Sequence, residues 1–201
     1  ASAWTRTSRP RSVRERGSKE HNTNMHCTLH GVHADGHAHR RQRQWYCSGR
    51  AGKRQGRAAG QGSVALEMFA DAPELDCIVT PIGGGGLMSG MATVARALKP
   101  DMEVIGVQAE LYPSMYARLK GQDLDCGGDS LAEGISVKAP GEFTSEVIAD
   151  LVDDILLVNE SVLEKAVALL LQIEKTVVEG AGAAGLAAVL ANPERFAGKK
   201  I

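Results

Sequence analysis

The chain has 201 residues, 43% of them hydrophobic and 23% charged, with a formal net charge of −1. That bounds one domain, or one domain with a tail. No apolar run approaches the roughly 20 residues that span a bilayer, and the basic N-terminus lacks the apolar core of a secretory signal. The near-neutral total averages two unlike pieces. Residues 1–60 carry 13 Lys/Arg against 3 Asp/Glu, residues 61–201 carry 10 against 21, and all six histidines precede residue 40. Cys27, Cys47, Cys77 and Cys126 are too widely spaced for a disulfide framework, so a reducing, cytoplasmic setting is expected.

Residues 1–59 read as a tail. Before residue 60 the aliphatic side chains and methionine amount to Val13, Met25, Leu29 and Val32, with no Ile or Phe. That is too little apolar surface to offset the ordering entropy of such a length. The expectation is a disordered tail or a segment translated in the wrong frame of a G+C-rich gene, with a folded domain over residues 60–201. Cys27, His30, His33, Asp35, His37 and His39 are metal-ligand types, but their spacing matches no closed metal site. Trp45 and Tyr46 form a single pair among the arginines, without the interleaving of a nucleic-acid binder. Neither a metal nor a nucleic-acid partner is expected.

From Gln61 the patterns become regular. Val64, Leu66 and Phe69 mark a short helix, which Pro73 ends. Residues 77–82 are a continuous apolar run, suited to a central parallel strand covered on both faces. Leu87, Met91, Val94, Ala95 and Leu98 fall on one helical face. Residues 103–109 form a second strand, and residues 112–121 a short helix with Gly121 just past its end. Residues 129–137 read as loop or edge. A helix over 142–151 and a strand over 153–158 follow, then a long helix over 160–175 with Asn159 as its N-cap. Residues 179–194 are a small-residue helix able to approach its neighbours closely. Strands alternating with helices give an α/β domain: an open, mostly parallel sheet with helices on both faces.

Four consecutive glycines, Gly83 to Gly86, join the first strand to its helix. Glycines at a strand–helix junction let several backbone N–H groups close on an anion, and the helix N-terminus favours its charge. The expected ligand group is a phosphate at the carboxyl end of the sheet. No G-x-x-x-x-G-K-[ST] segment is present, which disfavours a triphosphate loop. Gly84, Gly86 and Gly90, with Glu110 ending the next strand, come near a dinucleotide fingerprint but are one residue out. A non-enzymatic phosphate- or dinucleotide-binding module therefore stands as an alternative, beside a purely structural glycine turn.

"PIGGGGLMSG" (81–90) resembles the tetraglycine loop of the threonine ammonia-lyase and serine racemase group of fold-type-II pyridoxal-phosphate enzymes. "AGQGSVALEM" (59–68), "VIGVQAE" (104–110), "LAEGISV" (131–137), "LVDDILLV" (151–158) and "VVEGAGAAGLAA" (177–188) resemble the same group in order and spacing, over residues 59–201 and none of 1–58. The resemblance implies part of the large domain of a tryptophan-synthase-β-like fold. It implies pyridoxal 5'-phosphate as cofactor, held at its phosphate by the backbone of Gly83, Gly84, Gly85, Gly86 and Leu87. By the same resemblance Gly134 passes close to the cofactor ring, and Glu179 faces the site from the start of its helix. Glu110 aligns with a position some relatives use for a divalent ion, but the later carboxylate of that ion site is here Tyr116, so no metal is expected.

The resemblance further implies an amino-acid substrate, L-threonine or L-serine, deaminated to a 2-oxo acid and ammonia, and a homo-oligomer for the intact enzyme. In that group the chemistry is carried by a lysine bonded to the cofactor, within a Ser-x-Lys-x-Arg-Gly segment. No such segment occurs here; "GSKEH" (17–21) holds Lys19 without that spacing. The Ser/Cys-Gly-Gly-Asn turn used at the pyridine nitrogen is likewise absent. No catalytic residue is therefore assigned. The expectation is a fragment that is inactive by itself, with the strands over 77–82 and 104–107 left partly uncovered.

Overall fold

The computed structural model describes residues 52–201. The expectations for residues 1–51, including the Cys/His-rich stretch, lie outside the described residues. The first helix, α1 (Gly52–Asp71), begins ahead of residue 60 and is longer than its apolar pattern suggested. It buries Ala58, Gly62, Ala65 and Phe69, while Val64 stays 40% exposed. The reason is close packing against the next helix. A Cβ added at Gly90 would stand 2.2 Å from the Ala58 carbonyl oxygen and 2.6 Å from the Gly62 nitrogen. Only small residues permit that crossing.

Three strands, β1 (Cys77–Pro81), β2 (Glu103–Ala109) and β3 (Asp154–Val158), form a parallel sheet in the order β1-β2-β3. Cys77 pairs with Glu103, and Ile105 with Asp154, so the carboxyl ends of all three strands share one edge. Between β1 and β2 runs α2 (Gly86–Leu98). Between β2 and β3 come α3 (Ser114–Lys120), a single 3-10 turn at Glu133–Ile135, and α4 (Glu142–Leu151). After β3 follow α5 (Glu160–Gln172), α6 (Gly180–Ala191) and the short α7 (Pro193–Phe196).

Side chains alternate across the strands, and both faces are covered. Ile78, Ile82, Val104 and Ile155 pack with α1, α2, Met115 of α3 and Ile148 of α4. Val107, Ala109 and Val158 pack with Leu163 of α5 and the alanines of α6, and Ile105 packs with Phe196. Each such aliphatic side chain, fully buried, stabilises the fold by roughly 1.5–3 kcal/mol. The expected bare faces of β1 and β2 are not found: Ile78, Val104, Ile105 and Val107 are all buried, the first two under α1 to α4 and the last two under α7 and α6. Two further details differ from expectation. The outer residue of α2, Leu98, is 52% exposed, and α5 stops at Gln172 rather than 175. Asn159 does cap α5, accepting the Val162 N–H at 3.1 Å.

The amino end of the sheet is closed by ion pairs. Arg195 reaches Asp154 at 2.6 Å and Glu103 at 3.1 Å, Lys199 reaches Glu103 at 2.5 Å, and Arg96 reaches Asp153 at 2.7 Å. The Lys199 hydrogen bond, aided by Arg195, holds the Glu103 carboxyl below its usual range against the opposing effect of burial. Burial, reinforced by the Glu103 charge, pushes the Cys77 thiol up to about 12. A thiol so placed stays protonated and unreactive.

Candidate functional site

At the carboxyl end of β1 the chain leaves the sheet after one last bond, Ile82 N–H to the Val107 carbonyl at 2.7 Å. It then turns through Gly83, Gly84 and Gly85 into α2. Gly85 is the N-cap, in the left-handed region at φ 89 and ψ 0, with no side-chain cap. Ser89 N–H, bonded to the Gly85 carbonyl at 2.9 Å, is the first in α2 to find a partner. Among the described residues, no acceptor takes the N–H groups of Gly83, Gly84, Gly85, Gly86, Leu87 or Met88. Helix starts leave such donors free, and here the glycines extend the series outward from the helix.

The four glycines are not equivalent. A Cβ at Gly84 or Gly86 would meet nothing within 4 Å, so both face open space. A Cβ at Gly83 would lie 3.2 Å from Ile135 Cα and 3.2 Å from Val137 Cγ2. At Gly85 it would lie 2.8 Å from both Met115 Cε and Thr144 Oγ1. Gly83 and Gly85 are thus wedged into the fold from behind, and Gly84 and Gly86 present the open front. Unpaired donors beside open space, at the positive end of a 13-residue helix, fit a phosphate. This is the fit expected for the phosphate of pyridoxal phosphate.

The wedge is built from three sides. Thr144 Oγ1 donates to the Gly84 carbonyl at 2.6 Å. Gln108, fully buried on β2, donates its side-chain N–H to the Ile82 carbonyl at 3.2 Å and accepts the Tyr116 N–H at 2.9 Å. It thereby fixes both the residue before the glycines and the helix that carries Met115. Ser114 Oγ holds the Val137 carbonyl at 2.6 Å, securing the segment that backs Gly83. Farther along, Glu160 at the start of α5 accepts from Ser130 Oγ and from Leu131 N–H, both at 2.8 Å. That anchors the loop leading to Gly134.

Gly83, Gly84 and Gly85 therefore form the turn, and Gly86 and Leu87 open α2 directly after it. Gly134 is close to the turn: its carbonyl oxygen stands 3.3 Å from where a Gly83 Cβ would be. On its other side Gly134 faces α6, 3.0 Å from Ala181 Cβ to its own added Cβ. Glu179 is the N-cap of that helix, exposed and with its side chain making no cap bond. Glu110, at the end of β2, is exposed and donates its N–H to Val158. Among the described residues no group of three or more His, Cys, Asp or Glu could hold a metal ion, and no helix is long and apolar enough to cross a membrane. Thr144 and Gln108 went unnoticed in the sequence. Their signals were slight: a Thr in the first turn after "PG", and one polar residue inside an apolar strand.

A parallel α/β sheet with an open, donor-rich glycine loop at its carboxyl end suits a cofactor-binding domain, and a family model assigns it. The chain belongs to the pyridoxal-phosphate dependent enzyme family, whose model matches residues 15–201. That match starts well before residue 59, where the quoted motifs begin, so the likeness extends farther upstream than those motifs showed. Among individual relatives, L-threonine ammonia-lyase of Thermotoga maritima is 44% identical over 145 residues, covering 71% of this chain and 36% of the relative. The solved threonine deaminase from T.th. shares 37% identity at a TM-score of 0.65, covering 69% of this chain and 53% of its own. Maize serine racemase follows at 32% and 0.65, covering 71% and 46%. The chain thus spans about a third to a half of the length of these relatives. Its sheet and helices are those of the tryptophan-synthase-β-like pyridoxal-phosphate fold.

Proposed function

We propose that this stretch is the phosphate-holding part of a pyridoxal-phosphate-dependent lyase that deaminates L-threonine, with L-serine as the neighbouring substrate, to a 2-oxo acid and ammonia. The observation that carries the reading is the row of unpartnered N–H groups from Gly83 to Met88, with open space before Gly84 and Gly86. The relatives named for threonine deamination supply the substrate. Bound there, the cofactor supplies a conjugated ring able to stabilise negative charge at the α-carbon of an amino acid. The backbone of Gly83 to Leu87 holds its phosphate, α2 adds the positive end of its dipole, and Gln108 and Met115 keep the loop from collapsing inward. Gly134 passes close to the ring, and its lack of a side chain lets it lie against Ala181 of α6. Glu179 places a carboxylate at the mouth of the site. The intact protein is read as a cytoplasmic homo-oligomer acting on a small amino acid.

The sequence in hand carries no Ser-x-Lys-x-Arg-Gly segment, so by itself it should hold the cofactor phosphate without turning over threonine. The test has two parts. The purified chain should bind pyridoxal 5'-phosphate, in competition with inorganic phosphate, and release no 2-oxobutanoate from L-threonine. The natural full-length protein should release it. Phosphate binding without turnover in that protein would favour the non-enzymatic module; turnover by the chain alone would overturn the fragment reading.

A further inference from the structure

We infer that Thr144 is a positioning residue for the glycine loop, one that sets which way the Gly84–Gly85 peptide points. The inference rests on the phosphate reading above. Thr144 sits in the first turn of α4, and its hydroxyl has one proton to give. Two carbonyls are in reach, Gly84 at 2.6 Å and Gly141 at 3.1 Å. The Gly141 carbonyl already receives Ser145 N–H at 3.0 Å and Ser145 Oγ at 2.7 Å. No other donor among the described residues reaches the Gly84 carbonyl. The Thr144 proton therefore belongs to Gly84.

The consequence follows from the geometry of the peptide. In a trans peptide the C=O and the following N–H point in opposite directions. Holding the Gly84 carbonyl against α4 aims the Gly85 N–H away from α4, to the side where Gly84 and Gly86 face open space. With glycine on both sides of this peptide, little else prevents it from flipping. A flipped peptide would present a carbonyl oxygen, the negative end of its dipole, to the phosphate in place of a donor. Thr144 thus acts on the anion through Gly84, without touching it.

The experiment measures binding of pyridoxal 5'-phosphate and of pyridoxal, which lacks the phosphate, to the full chain by calorimetry. Melting curves are recorded alongside. Thr144→Val should weaken the phosphate-bearing ligand by about tenfold or more, as expected when a donor to a charged group is lost and only a fraction of loops stays competent. Pyridoxal binding should stay the same. Thr144→Ser, which keeps the hydroxyl, should come within about threefold of the wild type, a margin well below the loss of a charged hydrogen bond. If Thr144→Val does not fold, Thr144→Ala serves in its place, since it removes the hydroxyl without adding bulk beside Gly85. Equal affinities for wild type and the hydroxyl-less variant would overturn the positioning role while leaving the phosphate site standing. Equal losses for both ligands would also overturn it, because they would mark a general structural effect. No phosphate-dependent binding by the wild type would overturn the site itself, and this role with it.

Discussion

The two ends of the sheet treat polar groups in opposite ways. At the amino end, Glu103, Asp153 and Asp154 meet Arg195, Lys199 and Arg96, and the Lys200 N–H closes onto Asp76 at 2.9 Å. At the carboxyl end, six successive N–H groups from Gly83 to Met88 have no partner among the described residues. The first arrangement satisfies itself and needs no ligand. The second leaves a row of donors free, which the proposed function completes with a phosphate from outside. Ligands gather at the carboxyl ends of strands in open α/β sheets, and here hydrogen bonding makes that difference visible.

The contrast can be broken from either end. The largest effect is expected from Gly85→Val. It forces a β-branched residue to φ 89 and puts Cβ 2.8 Å from Met115 and Thr144. Left-handed strain and overpacking together should cost on the order of 2–5 kcal/mol, seen as a large fall in the urea midpoint, with phosphate binding lost too. Gly85 is therefore a folding position as well as a binding one.

Gln108→Leu should come next. It strands the buried Ile82 carbonyl and the Tyr116 N–H, at about 2 kcal/mol for a lost buried partner. It should also weaken phosphate binding, because the loop loses its footing. An unchanged denaturation midpoint would show that water replaces the amide.

The smallest effect should come from Glu103→Gln at the opposite end. The pairs are partly exposed, with side chains 25–35% accessible at Glu103, Arg195 and Lys199, so screening limits the loss to about 1 kcal/mol or less. Phosphate binding should not change. The pH dependence has a definite sign. Glu103 is held below its usual range, so its contribution is complete above the ordinary carboxylate pKa of about 4.3 and fades as pH falls through the lower folded value. The gap between wild type and Glu103→Gln should therefore close on acidification. A gap that widens toward low pH would contradict the ion-pair account.

Much of this was legible in the chain. The strand read over 103–109 is β2, buried on both faces, and the helix read over 142–151 is α4. Asn159 announced α5 through its side-chain chemistry. The tetraglycine run marked the strand–helix junction, where the N–H groups from Gly83 to Met88 are without partners among the described residues. The inward face of α1 was not legible: its packing depends on Gly90 of another helix, a match in space between small residues that no local period records. The division of labour among the glycines was hidden for the same reason. Which of them faces open space depends on Met115, Val137 and Thr144, which are brought there from α3, α4 and the loop between them.

The most direct test of the central claim is a nitrogen-15 NMR titration of the chain with pyridoxal 5'-phosphate and, separately, with pyridoxal, repeated on Gly84→Ala. Gly84 has open space at its Cβ position and does not adopt positive φ, so this variant should melt within a few degrees of the wild type, a difference of about 1 kcal/mol at most. In the wild type the amides of Gly83 to Met88 should shift with the phosphate-bearing ligand and stay still with pyridoxal, and in Gly84→Ala those shifts should be greatly weakened. Shifts that fall elsewhere, or that persist unchanged in a well-folded Gly84→Ala, would contradict the assignment of this loop as the phosphate site.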